Sequence, residues 1–229
     1  MKYQSNKGLT LVEVLIAVVV SSIVMAAMFF TYDIFQKSYR GIVDRSVISQ
    51  NSRNAFSMMI RDLRMTGYQD FNTKWSSLPS SIILHTDNSN GPDSIEIIYD
   101  ENKNDRIKIA YKLDKEKSTD NYYFLAKARY GWNGSAWTTS VAGGYAFEKV
   151  ADYFEDLQFS LKNSSGNKTT QSSSANYIEV YAILKSPNEI HKQPVAQNFT
   201  SDNRTIVVTD KYLREDFFVS VYPRNIIKN

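Results

Sequence analysis

Cysteine is absent from this 229-residue chain, which excludes disulfides, thiolate metal sites, cysteine nucleophiles and a lipid-modified cysteine anchor. Histidine is nearly absent. His85 and His191 each stand without a second histidine nearby, so a histidine-rich metal centre has no basis, and neither has an ordered Ser or Asp partner. An excess of one charge sign is also missing. The chain carries 27 Lys+Arg against 24 Asp+Glu, a net +3, and its basic residues are scattered rather than clustered. No direct nucleic-acid binding is expected from that balance. No glycine-rich phosphate loop, Gly-x-Ser-x-Gly elbow or paired carboxylates on a helix turn occur, so no enzyme is expected.

What the chain does have is an asymmetric start. Mean hydropathy is −0.38 overall, yet Leu9 to Phe30 (LTLVEVLIAVVVSSIVMAAMFF) runs for 22 residues with a single charge. As a helix this run spans ~33 Å, enough to cross a bilayer core of ~30 Å. A polar leader, Met1 to Gly8 (MKYQSNKG), precedes it and holds two lysines. An ordinary secretory signal would end in a small-x-small cleavage site, and the nearest candidate, around Met25-Ala26-Ala27, is poor. The leader lysines favour a cytoplasmic N-terminus and an exported body, a bias that Asp33, Lys37 and Arg40 make modest.

Glu13 stands inside the apolar run. A carboxylate there costs ~2.5–3.5 kcal/mol on insertion scales, and residues of this kind are functional by default. It calls for a cationic partner, yet no Lys or Arg lies within a helical turn on its C-terminal side. A cut after Gly8 would turn Leu9 into an α-amino terminus, on this or a neighbouring subunit, and so supply the counter-charge. The plain alternative is a signal anchor whose Glu snorkels at its cytoplasmic end.

The stretch Lys7 to Ala17 (KGLTLVEVLIA) resembles the class III signal of type IV prepilins and pseudopilins. The resemblance implies that a membrane aspartyl prepilin peptidase cuts after Gly8 and methylates the new terminus, Leu9, where many family members have Phe. Glu13, fifth after the cut, matches the family's glutamate, which pairs with the N-terminal amine of an adjoining subunit during assembly. Removing the eight leader residues from 229 leaves 221, with 25 basic and 24 acidic side chains.

From Tyr32 to Thr66 the pattern becomes amphipathic, with Phe35, Ile42, Phe56, Met59, Ile60 and Leu63 forming an incomplete stripe. Gly67 is the expected C-cap and Gly41 a candidate bend. One helix from Leu9 to Thr66 would hold 58 residues and reach ~87 Å. A lone helix in water is marginal, so the outer half, residues 31–67, is expected to pack on the body. The segment Arg61 to Tyr68 (RDLRMTGY) is similar to the helix end of PilW-type minor pilins, with Thr66 replacing a more usual alanine. Asp62 and Arg64 read equally well as solvent-facing charges.

After Tyr68 the periodicity switches to two. Ser94 to Asp100 and Arg106 to Asp114 alternate apolar and polar residues, and further strands are expected at 121–130, 157–161, 177–184, 205–208 and 217–222. Asn163 to Asn176 reads as a polar loop. The expected fold is α+β: a pilin-like long N-terminal helix, transmembrane at 9–30 and amphipathic beyond, packed on an antiparallel β-sheet domain at 68–229. The segments 150–161 and 219–225 are also similar to parts of PilW-type heads, whose frequent cysteine pair is missing here. Trp132, Trp137 and Tyr145 read either as a binding face or as core and edge packing.

Asp100, Asn102 and Asn104 resemble the opening of a calcium loop. The match fails where Asp105 replaces the required Gly and Tyr111 the required Glu, and a hairpin turn is the plainer reading. Calcium stays a candidate because some minor pseudopilins bind it in their heads; no other cofactor is expected. Taken together, the resemblance implies a minor pilin in a complex that primes pilus assembly and sits at the filament tip. Its implied partners are other minor pilins, the major pilin, prepilin peptidase and the inner-membrane assembly platform. Its implied location is the inner membrane, as a single-pass protein, and then the pilus at the cell surface. A J-type minor pseudopilin of a type II secretion system is the nearest alternative. A membrane-anchored binding protein that never polymerises is a second.

Overall fold

The computed structural model describes residues 10–75, 80–86, 91–120, 122–201, 204–223 and 225. Helix α1 (Leu11–Met65) is continuous, and no break occurs at Gly41. It passes through both of the compact units into which the chain divides, one ending at Val43 and the other running from Asp44. In the first unit the helix is bare. Leu15, Ile16, Ile23, Met28 and Phe29 are all more than half exposed. This stretch holds a window apolar and long enough to cross a membrane.

In the second unit α1 buries Asp44, Ile48, Ser52, Ala55, Phe56, Met59, Asp62 and Leu63. These positions recur every three or four residues, so they share one face. The packed stretch therefore starts at Asp44, later than the amphipathic pattern suggested: Phe35 and Ile42 are each 67% exposed. The sequence stripe was incomplete because polar Asp44, Ser52 and Asp62 occupy the buried face alongside apolar residues. The helix ends at Met65. Gly67 follows with φ 77°, a left-handed conformation that costs glycine no Cβ clash. Its N–H donates to the Ile98 carbonyl at 3.0 Å, which ties the helix end to the sheet.

The sheet is antiparallel throughout. Its main path runs β1 (Ile82–His85), β2 (Ser94–Asp100), β3 (Arg106–Asp114), β4 (Tyr123–Trp132), β6 (Tyr145–Lys162), β8 (Tyr177–Glu189) and β11 (Tyr212–Val221). Short strands β5 (Trp137–Thr138) and β7 (Lys168–Thr169) pair with β4 and β6. A separate hairpin of β9 (Val195–Thr200) and β10 (Thr205–Asp210) lies between β8 and β11 in the chain. Strand order thus follows chain order, with hairpins inserted. Strands alternate their side chains, and the inward rows form one apolar layer facing the helix. Ile95, Ile97, Ile107, Ile109, Leu125, Leu157, Phe159, Ile178, Val180 and Leu184 meet Ile48, Met59 and Leu63 there. Phe56 stacks at a tilt on Phe217 of β11, with ring centroids 6.2 Å apart.

Two backbone devices shape the sheet. Gly131 passes so close to the Val141 carbonyl that an added Cβ would lie 2.5 Å from it, so only glycine fits. Tyr153 has φ 70° where the pairing of β4 and β6 shifts by a residue, a bulge that turns Phe154 into the core. The β9–β10 turn is anchored by Arg204, which forms an ion pair with buried Asp156 and donates to the Gly91 carbonyl at 3.0 Å.

Candidate functional site

The cleavage positions Gly8 and Leu9 lie outside the described residues, which begin at Thr10. Glu13 is described. Its carboxylate accepts hydrogen bonds from the Thr10 backbone N–H at 2.8 Å and from the Thr10 hydroxyl at 2.9 Å. In return the Glu13 N–H donates to the Thr10 hydroxyl oxygen at 3.3 Å. This is a capping box: Thr10 precedes the first helical residue, Glu13 is the third residue inside, and each satisfies a backbone donor that the helix start leaves free. The negative side chain also lies at the positive end of the helix dipole. Thr10 is thus a local partner of Glu13, and its signal, Thr-x-x-Glu before an apolar run, is present in the sequence.

Beyond Glu13 the helix offers an uninterrupted apolar surface. Ser21, Ser22 and Thr31 could interrupt it, but their hydroxyls donate back to the carbonyls of Ala17, Val19 and Ala27 at 2.7–2.9 Å. Polar side chains that satisfy themselves in this way are compatible with a lipid or a helix–helix environment. The first charged pair is Lys37 with Asp33, one turn apart at 2.5 Å.

The candidate calcium ligands are engaged otherwise. Asp100 is fully buried and accepts from the Arg106 guanidinium at 2.7 and 3.3 Å. The Asn102 side chain closes the turn, accepting from the N–H groups of Asn104 and Asp105 and donating to the Asp105 carboxylate at 2.8 Å. Asn104 contributes its backbone N–H to that turn. The segment is a hairpin turn between β2 and β3. No group of three or more His, Cys, Asp or Glu residues suited to a metal occurs among the described residues.

Asp62 has a role that its neighbours in sequence did not show. Only 4% exposed, it accepts from the Lys127 ammonium at 2.5 Å and from the Tyr111 phenol at 2.6 Å. One carboxylate on α1 therefore holds β3 and β4 at once. Burial, with the charge of Asp62, pushes the Tyr111 phenol far up, so it remains a donor. Arg64 and Arg61, by contrast, are exposed.

The prokaryotic N-terminal methylation motif matches residues 3–29 of the chain. The match spans Gly8, Leu9, Thr10 and Glu13 together with the bare apolar helix, and it is confined to this segment. No curated protein and no solved structure matches the chain. The N-terminal signal is thus that of a type IV pilin- or pseudopilin-like protein. With the apolar helix that follows, it marks a single-pass membrane-anchored chain.

Proposed function

We propose that the chain is a minor pilin of a type IV pilus, cut after Gly8 and methylated at Leu9 by prepilin peptidase. Held in the inner membrane with its body exported, it joins other minor pilins in a complex that primes assembly and sits at the filament tip. The observation that carries this reading is the methylation motif on an exposed apolar helix whose continuation packs on an antiparallel sheet. PilW-like segments, Arg61–Tyr68 above all, favour a minor over a major pilin. In this mechanism residues 9–30 serve first as membrane anchor and then as filament core. Glu13 sets the register by exchanging its Thr10 partner for the amine of an adjoining subunit.

The test is a count of surface filaments by electron microscopy in a gene deletion, with and without pilus retraction. Filaments lost in the deletion and restored when retraction is blocked support the proposal. Unchanged filaments with impaired protein secretion move the assignment to a J-type pseudopilin. A chain that keeps its full length when prepilin peptidase is removed and again when it is restored would indicate an anchored protein that never polymerises.

A further inference from the structure

Strand β4 reverses the polarity that a helix-covered sheet face requires. Leu125, Lys127 and Arg129 stand opposite Leu113, Tyr111 and Ile109 of β3 and share their inward face, whereas Ala126 and Ala128 point the other way. Inward positions of such a sheet are ordinarily apolar. Local violations of the pattern concentrate at functional sites. Here the two inward cations line a cavity of about 440 Å³ beside the end of α1, together with Arg61, Asp62, Tyr99 and Tyr145. That volume lies within the range of small-molecule sites, ~300–1,000 Å³.

Hydrogen-bond donors outnumber available acceptors in this cavity. Lys127 and Tyr111 both donate to Asp62 Oδ2, and its Oδ1 faces Arg61. Glu101 accepts from the Arg129 guanidinium at 3.1 and 2.6 Å. Tyr99 is 7% exposed as a whole, and its phenol oxygen, bonded by no protein group among the described residues, opens to solvent. Tyr145 also lacks a hydrogen-bond partner among them. Burial, with the charge of Asp62, pushes both phenols up, which keeps them protonated. Arg61 reaches Asp62 at 3.7 Å, too long for a hydrogen bond. Among the lining side chains Arg61, Lys127 and Arg129 stand against Asp62 and Glu101, and Glu148 lies close enough to raise the Tyr145 phenol.

We propose that this cavity binds a small solute bearing an oxyanion, a carboxylate or a phosphate, with Tyr99 and Tyr145 donating to it and Arg61 supplying the opposing charge. The inference goes beyond the pilin reading and does not depend on it. The test is calorimetry on the full chain in detergent micelles, titrated with succinate and with inorganic phosphate at constant ionic strength. Saturable binding of either anion is expected. Tyr99→Phe, which removes a donor without a protein partner, should weaken it about tenfold at an unchanged unfolding temperature. No saturable heat up to about 10 mM, where even a millimolar site would fill, overturns the proposal. So does binding that Tyr99→Phe leaves unchanged. If Tyr99→Phe lowers the unfolding temperature, Arg61→Gln, on an exposed side chain, becomes the deciding variant under the same two criteria.

Discussion

Between Leu11 and Val43 helix α1 has no buried residue and is strongly apolar up to Phe30; between Asp44 and Met65 it is more polar and buries eight side chains. Hydropathy and burial run in opposite directions along a single helix. The second half needs only one apolar face, because the sheet covers that face and water the other. Up to Phe30 the first half is apolar all round but for Glu13, which suits an environment that is apolar all round. Composition therefore reports the solvent each half is built for, and periodicity reports the packing partner. A chain optimised only for folding in water would have no use for the first half.

The comparison can be broken at the place where the second half depends on charge. Asp62→Ala leaves Lys127 buried without its partner and should cost about 3–5 kcal/mol, read as a lowered denaturant midpoint of the full chain in detergent. A change below about 1 kcal/mol would mean that Asp62 is not the clamp described here. The next largest effect contrasts two apolar truncations. Leu63→Ala, at a fully buried position, should cost about 2–5 kcal/mol. Ile16→Ala, at a position 56% exposed, should leave the unfolding of the β domain unchanged. Thr10→Ala removes the capping partner of Glu13 and should cost about 1 kcal/mol of local helix stability, visible as faster amide exchange over the first turn alone.

The smallest effect concerns pH. Hydrogen bonds from Arg214 hold the Asp210 carboxyl below the usual carboxylate range. A depressed folded-state pKa stabilises above the unfolded value of about 3.9, and that contribution disappears as pH falls through the lower folded value. Wild type should exceed Asp210→Asn in urea midpoint at pH 6. The gap should close progressively below about pH 4. A gap that stays constant down to pH 2 would assign the difference to packing.

The α+β class and the long helix were legible because each rests on periodicity. Strands β2 and β3 could be read to the residue, since Ile107, Ile109, Tyr111 and Leu113 alternate with polar positions. Strand β1, four residues long, and β9, with its Ala-Gln-Asn centre, carried too little pattern to stand out. The early part of β6 was missed for a different reason: Ala146 to Lys149 are exposed, so no burial rhythm marks them. At the N-terminus the sequence disclosed the signal and its glutamate, but the Thr10 cap went unread beside the search for a cation. Asp62 was hidden because a buried acid and a surface acid look alike until the lysine 65 residues away is placed beside it. Nothing in the sequence of β4 marks Lys127 and Arg129 as inward-facing, and only the register with β3 turns them inward.

The order of the strands has a consequence for how such a chain could be delivered. Every strand on the main path pairs with the one that precedes it there, and among the described residues the only excursions are local hairpins. For a polypeptide threaded across a membrane from its N-terminal end, each new strand arrives to find its neighbour already in place. The second half of α1 emerges before any of them and offers its apolar face as a surface on which the early strands can condense. Few contacts then have to wait for distant sequence, which shortens the time that unpaired edges stay open to wrong partners. On this view the meander is a schedule as well as a shape: β11 comes last, and its arrival closes the far side of the sheet against Phe56.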